Sequence, residues 1–389
     1  ASKEMVKAGT VAAVALVLLG AACDYGRQKP DRPDRSSPSA YVWQLPEGFP
    51  APRVPADNPM TPEKVELGRQ LFHDPRLSGD GTVSCASCHR PELAYTDGRS
   101  RAVGSQGNIH PRSAMSLTNV AYNATLGWDD PSLIHLEDQA LVPLFNTQPL
   151  EMGVAGRENE VLARFRDDRR YRQLFQSSFP EDQDPVSMRN VTQALASFQR
   201  TLISGNSPYD RWAYGGEVDA LDADERAGAR LFFSQRLSCF RCHAGFNLSG
   251  PVVYDGSGTP EAQFHNTGLY NEDGRGAYPK ANTGVQRHSG RSEDMGKFRA
   301  PTLRNIALTA PYMHDGSVPT LEAVLDHYAA GGRARSLGPD SQNIRPDSAT
   351  DPLVIGFELT PEERRQLVAF LRALTDESFV LRARERSVQ

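Results

Sequence analysis

Two Cys-x-x-Cys-His motifs are the stretches of this chain whose residue types and spacing could do chemistry. Their members are Cys85, Cys88, His89, Cys239, Cys242 and His243. Two thiols on one turn can form thioethers with the vinyl groups of a porphyrin, and the following histidine can then bind the iron. A redox-active cysteine pair or half of a zinc site is the alternative reading of a single motif.

The same sequence pattern leads into both motifs. Gly68-Arg-Gln-Leu-Phe72 and Arg76-Leu-Ser78 precede the first, and Gly228-Ala-Arg-Leu-Phe232 and Arg236-Leu-Ser238 precede the second in the same register. The first copy then carries an insertion, residues 79–84. An internal repeat of this kind indicates a duplicated domain. Two copies in matching contexts favour covalently bound haem c at both motifs.

Length and composition limit the remaining possibilities. The chain has 389 residues, enough for two domains of ordinary size. A net charge of −5 without a basic block does not point to nucleic acid or an anionic membrane surface as a partner. Four of the five cysteines belong to the two motifs, so no pair remains for a structural disulfide.

The fifth cysteine, Cys23, closes a segment typical of export signals. Lys3 and Lys7 precede an apolar run over residues 11–19, and Leu19-Gly-Ala-Ala-Cys23 resembles the cleavage site of a bacterial lipoprotein. We expect residues 1–23 to be a signal peptide with lipidation at Cys23; ordinary secretion and an uncleaved anchor stay open. Each alternative predicts an exported, periplasmic protein. Residues 24–40 are polar and proline-rich, which predicts a disordered tether.

The rest of the chain predicts a mostly α fold with few strands. Thr61-Pro62 and Asp222 have the residue types that begin helices, and Thr360-Pro-Glu-Glu363 is a capping box before a final apolar helix. Apolar residues recur at helical spacing over 186–204. We expect two cytochrome c-like haem domains that arose by duplication, at residues 41–210 and 211–389.

Six further segments carry a resemblance to a known family. They are Trp43–Pro50, Asp57–Met60, Asn119–Asn123, Glu137–Pro143, Pro149–Gly153 and Thr309–Gly316. Over residues 43–375 the chain resembles the bacterial dihaem cytochrome c peroxidase/MauG superfamily, and most closely its MbnH family. The resemblance implies two covalently bound haems, of which the N-terminal one reacts with peroxide.

The resemblance also implies roles for four residues. Trp128 falls between the haems, where it can relay charge, and Gln139 and Glu151 fall on the distal side of the first haem. A carboxylate there can take a proton from one peroxide oxygen and return it to the other, while an amide orients the peroxide. Without the resemblance, Glu151 and Gln139 would be read as surface residues and Trp128 as core.

Tyr328 falls where related peroxidases have an axial methionine for the second haem and MauG has a tyrosine. A phenolate stabilises oxidised iron, whereas methionine favours the reduced state. Tyrosine therefore favours a haem that stores an oxidising equivalent. His327, His314 and Met313 remain alternative ligands.

Some positions depart from the family pattern. Ser105 stands where ordinary members have an inhibitory histidine, and His110 comes directly before Pro111, so we expect an open first haem. The family's calcium ligands match at Thr309 and Pro311, but Ser113 replaces an asparagine. Leu237 stands where MauG has a surface tryptophan for charge exit, so the candidates for that role here are Tyr209, Trp212 and Tyr214.

These features predict an exported dihaem enzyme that uses hydrogen peroxide to oxidise a residue of a small exported partner protein. The MbnH resemblance implies an MbnP-like partner, conversion of tryptophan to kynurenine and a bis-Fe(IV) type intermediate. The alternative is a peroxidase that reduces hydrogen peroxide with electrons from a small cytochrome or cupredoxin. A plain electron-transfer cytochrome is a third class, and it would leave Glu151 without a role.

Overall fold

The computed structural model describes residues 40–333 and 350–388, with side chains to residue 385. The expected signal peptide, Cys23 and residues 24–39 lie outside the described residues. Helices and one short antiparallel strand pair make up the regular structure, which confirms the mostly α prediction. The elements are α1 Pro62–His73, α2 Cys85–Cys88, α3 Leu136–Phe145, α4 Glu158–Arg166, α5 Arg169–Ser178, α6 Met188–Arg200, α7 Pro208–Ala213, α8 Ala223–Phe232, β1 Phe264–His265, α9 Gln286–Ser289, β2 Phe298–Arg299, α10 Leu321–Ala329, α11 Pro361–Arg372 and α12 Glu377–Val388.

The expected helix starts are confirmed. The Thr61 hydroxyl accepts the backbone N–H of Lys64, and proline occupies the first position of α1. Asp222 and Thr360 each form a reciprocal capping box at the start of α8 and α11. These side chains satisfy N–H groups that have no partner inside the helix, so the local sequence is enough to set each start.

Two helix pairs form the frame on which the haem motifs are placed. Helix α1 packs on α6, and α8 packs on α11. A Cβ atom at Gly68 would overlap the Ala194 carbonyl, and one at Gly228 would overlap the Gln366 carbonyl. Glycine is required at both places because the two helix backbones approach each other so closely.

The buried apolar side chains form two clusters inside one compact unit. The first is built mainly on α1 and α3–α6, and the second on α7, α8, α10 and α11. A further helix, α12, follows the helix that the sequence suggests as the last. Its residues Phe379, Val380 and Ala383 belong to the first cluster. The C-terminus therefore contributes to the N-terminal core, and the domain boundary expected near residue 210 stays a prediction.

Among the described residues, no helix is both long and apolar enough to span a bilayer.

Candidate active site

Each Cys-x-x-Cys-His motif lines a cavity beside one of the two clusters. The first cavity has a volume of about 300 Å³ and the second about 220 Å³. Both cysteines and the histidine of the first motif line the first cavity, and those of the second motif line the second. Burial raises the pKa of Cys85 to about 12 and of Cys239 to about 11, unlike the acidic thiols of redox motifs.

The two motif histidines are oriented as iron ligands require. The Nδ1 atom of His89 lies 2.9 Å from the Tyr95 carbonyl oxygen, and that of His243 lies 3.1 Å from the Pro301 carbonyl oxygen. Burial lowers the pKa of His89 and lowers that of His243 to about 4, so both rings are neutral. A neutral imidazole that donates Nδ1–H to a carbonyl keeps Nε2 for a metal. The residues present therefore fit haem c at both motifs.

The distal wall of the first cavity brings together the residues assigned to peroxide chemistry. Gln139 on α3 and Glu151 both line it. The backbone N–H of Ser105 donates to the Glu151 carbonyl at 2.8 Å. Gly104 has no side chain, and a Cβ there would lie 2.8 Å from the Glu151 Cα. Two loops are thus held tightly against each other, which fixes the position of the glutamate.

Of Ser105 and His110, the loop places only the histidine on the wall of the first cavity. Ser105 is buried, with its hydroxyl beside Gly153, and no imidazole occupies that position. His110 lines the cavity instead, with Nε2 3.5 Å from Oε1 of Glu151. Its Nδ1 accepts the backbone N–H of Arg112 at 3.2 Å. The structure thus makes His110 a neighbour of the distal glutamate, a contact for which the chain carries no local sequence signal.

Trp128 lines both haem cavities. Its indole Nε1–H donates to the Ser113 carbonyl at 3.2 Å, and its own carbonyl accepts the Arg299 N–H at 2.8 Å. These two hydrogen bonds fix the ring at the boundary between the cavities. Trp128 thus lies where the two cavities meet, and its role as a charge relay between the haems stays a prediction.

The residues that line the second cavity limit the candidates for the axial ligand of the second haem iron. Tyr328, Met313 and His314 all line it, whereas His327 points elsewhere and binds the Thr267 carbonyl through Nε2 at 2.9 Å. The Tyr328 hydroxyl makes no hydrogen bond to any residue that the structure describes. Burial raises the pKa of Tyr328, so a phenolate there needs a cation such as iron close by. The assignment of Tyr328 as ligand stays a prediction.

The residues considered for calcium meet at one place. Ser113, Thr309 and Pro311 line a small cavity of about 70 Å³. Both side-chain hydroxyls of this set already have protein partners, because Ser113 donates to the Met313 carbonyl at 3.2 Å and Thr309 to the Ile306 carbonyl at 3.1 Å. The calcium site stays a prediction.

Aromatic rings connect the second cavity with the candidates for charge exit. Phe232 lines the cavity and lies 5.3 Å from Phe370, whose ring centroid is 5.5 Å from that of Tyr209. Tyr209 in turn lies 6.3 Å from Trp212 and 6.4 Å from Tyr214, which are only partly buried. The three candidates therefore form one cluster between the cavity and the surface.

Comparison with known proteins gives the same result as this geometry. The family model described as di-haem cytochrome c peroxidase matches residues 62–218, and a RoxA-like, cytochrome c-like model matches residues 297–330. The methylamine utilization protein MauG of Methylorubrum extorquens is 39% identical over 338 residues, which is 86% of this chain and 84% of that protein. The chain belongs to the di-haem cytochrome c peroxidase/MauG family.

Two further relatives show the range of this di-haem family. The cytochrome-c peroxidase IdrP1 of Denitromonas iodatirespirans is 36% identical, with 83% of this chain and 84% of that protein covered. A MauG-like protein associated with microbial copper homeostasis has a crystal structure that matches this one with a TM-score of 0.83, and its sequence is 47% identical. The match covers 88% of this chain and 97% of that chain. The protein is accordingly a dihaem oxidoreductase that acts with peroxide and carries two haem c groups.

Proposed function

We propose that this enzyme uses hydrogen peroxide to oxidise a residue of a partner protein, namely a tryptophan that becomes kynurenine. The balanced change converts tryptophan and two molecules of hydrogen peroxide into kynurenine, formic acid and water. The partner is a small exported protein that acquires part of a copper site by this change. Similarity to a MauG-like protein associated with microbial copper homeostasis supports this choice over other members of the family.

The observation that carries the proposal is the placement of two residues, Tyr328 at the second cavity and Trp128 at both cavities. Tyr328 lines the second cavity. Its phenol oxygen is a hard ligand, whereas a soft sulfur ligand would suit the uptake of electrons from a small donor. Trp128 lines both cavities, so the two haem sites have an aromatic ring in common. Both features favour an enzyme that stores oxidising equivalents until a slow protein encounter takes place.

The haems, when bound, supply the iron at which peroxide is cleaved and the centres that hold the oxidising equivalents. Glu151 would take the proton from one oxygen of hydrogen peroxide and return it to the other, which leaves as water. Gln139 donates a hydrogen bond that orients the peroxide in the distal cavity. Because a folded partner cannot enter a cavity of about 300 Å³, its electrons must travel through the protein.

Mass spectrometry of the partner tests the proposal. The holoenzyme, hydrogen peroxide and the small exported protein encoded beside it are incubated together, and the partner peptides are then sequenced. We expect a kynurenine at one tryptophan, formed with wild-type enzyme and absent with Glu151→Gln. A partner that stays unmodified, together with fast peroxide turnover on a reduced small cytochrome or cupredoxin, would instead support the electron-fed peroxidase.

Export to the periplasm is part of the same proposal. Haem c is attached outside the cytoplasm in bacteria, and the segment that ends at Cys23 has the residue types of a lipoprotein signal. Fractionation of cells, with radiolabelled palmitate and a Cys23→Ser variant, distinguishes a lipid-anchored form from a freely secreted one.

We also propose that the two haem halves arose by duplication of one helix pair. The matching sequence patterns are supported by matching packing, since Gly68 in α1 and Gly228 in α8 each sit against a carbonyl of the partner helix. The next residues in the two contacts are also equivalent, because Phe198 and Phe370 are the side chains that each glycine meets.

A further inference from the structure

Within the described part of the chain, the buried arginines have carboxylate partners, with one exception. Four arginine side chains are buried among the described residues: Arg112, Arg200, Arg299 and Arg304. The ion pairs of three of them are Arg112–Asp129 at 2.7 Å, Arg200–Glu137 at 2.8 Å and Arg304–Asp210 at 2.7 Å. Arg299 is 8% exposed and has no carboxylate within ion-pair distance in the described part of the chain.

The contacts that Arg299 does make are with neutral groups. Its Nε donates to the Gly127 carbonyl at 3.1 Å, and one Nη atom lies 4.0 Å from the sulfur of Met115. Burial lowers the pKa of its guanidinium to about 10, so the side chain remains a cation at neutral pH. A buried cation without an anion is strongly unfavourable, and native structures pair such groups. The missing anion must therefore come from outside the polypeptide.

The position of Arg299 indicates the source of that anion. Arg299 lines the first haem cavity, the second haem cavity and the small cavity between them. The three carboxylates on the first cavity wall have other partners, since Asp129 pairs with Arg112, Asp130 accepts hydrogen bonds from Ser132, and Glu151 faces His110. The cofactor of this family carries its own carboxylates, because every haem c has two propionates. Guanidinium and carboxylate also have matching geometry for a bidentate pair.

We propose that Arg299 is the counter-ion of a haem propionate at the boundary between the two haem sites. Its backbone N–H also holds the carbonyl of Trp128 at 2.8 Å. One residue thus neutralises a carboxylate of the cofactor with its side chain and holds the tryptophan between the cavities with its main chain. Arg299 is a positioning residue, and the inference depends on the two haems of the family, independently of any partner protein.

Reduction potentials of the holoenzyme test this assignment. Arg299→Met keeps an unbranched side chain of suitable size and removes the charge, whereas Arg299→Lys keeps the charge. Loss of a cation beside a haem favours the ferric state, so we expect a lower midpoint potential for Arg299→Met and a smaller change for Arg299→Lys. The haem whose potential moves, distinguished by its spectrum, identifies which propionate is bound. Resonance Raman spectra should show a shifted propionate bending band for the same haem.

A matched control separates this effect from the general loss of a buried arginine. The double variant Arg304→Met/Asp210→Asn removes a buried pair that lines neither haem cavity, and it should leave both potentials and the Raman band unchanged. Haem content and circular dichroism establish that each variant is folded and loaded. If Arg299→Met keeps both wild-type potentials and the wild-type Raman band, the proposal is wrong. If the wild-type potentials follow chloride concentration while the band stays fixed, a solvent anion occupies the site and the proposal fails equally.

Discussion

Replacement of Glu151 by glutamine is the most direct test of the distal site. Glutamine has the size and shape of glutamate but cannot take a proton from peroxide. The contact that fixes this residue, from the Ser105 N–H to its carbonyl at 2.8 Å, uses only the main chain and survives the change. We therefore expect the loss to be confined to proton transfer. Such groups contribute about 10²–10⁴-fold, which corresponds to roughly 3–5 kcal/mol of activation free energy.

Stopped-flow absorption of the ferric enzyme mixed with hydrogen peroxide measures this rate directly. Glu181→Gln is a suitable control, because Glu181 is exposed and lines no haem cavity. It should react at the wild-type rate. His110→Ala should give a smaller loss than Glu151→Gln, and His110→Gln should recover part of the rate by restoring an N–H donor beside the carboxylate. A Glu151→Gln rate equal to wild type, with haem fully incorporated, would show that the glutamate is a bystander and that the distal assignment is wrong.

Three further outcomes follow from the same geometry. Electron paramagnetic resonance of the ferric enzyme should show one high-spin and one low-spin haem, and Tyr328→Phe should abolish the low-spin signal; two low-spin signals that persist in this variant would contradict the assignment. Trp128→Phe should shorten the life of the peroxide-oxidised enzyme, as followed by absorption spectroscopy, whereas an unchanged lifetime would exclude a relay through this ring. Asp129→Asn should lower the free energy of unfolding by about 3–5 kcal/mol in denaturant titrations, because it leaves the buried cation of Arg112 without its bidentate partner. Burial alone raises the pKa of Asp129, but Arg112 outweighs this and the pKa is lowered, so the pair stabilises the fold at neutral pH. That stabilisation should be lost as pH falls from about 4, the ordinary pKa of an aspartate, through the lower pKa that Asp129 has in the folded protein. An Asp129→Asn variant with the same acid unfolding curve as wild type would contradict this expectation.

Local sequence determined the parts of this protein that depend on neighbouring residues. Thr61, Asp222 and Thr360 begin their helices because a capping side chain acts within one turn. The two haem motifs are equally local, since two cysteines and a histidine on one turn carry their spacing with them. The mostly α class followed from the same short-range patterns.

The family resemblance added positions that periodicity could not supply. Glu151, Gln139 and Trp128 have no local signal that separates them from surface or core residues. They line the cavity only because segments that are distant in sequence fold together around it. Helix α12 was predicted neither by the resemblance nor by periodicity. Its packing against the first cluster is not evident from residues 377–388 alone.

Only the tertiary structure decided which groups that are distant in sequence face each other. His110 meets Glu151 because two loops separated by some forty residues pack through Gly104. Arg299 reaches both cavities because β2 passes beside Trp128, and its lack of a carboxylate is visible only once its neighbours are known. Burial and charge pairing are properties of the assembled core, so a sequence that reveals an arginine cannot reveal whether the fold has given it an anion.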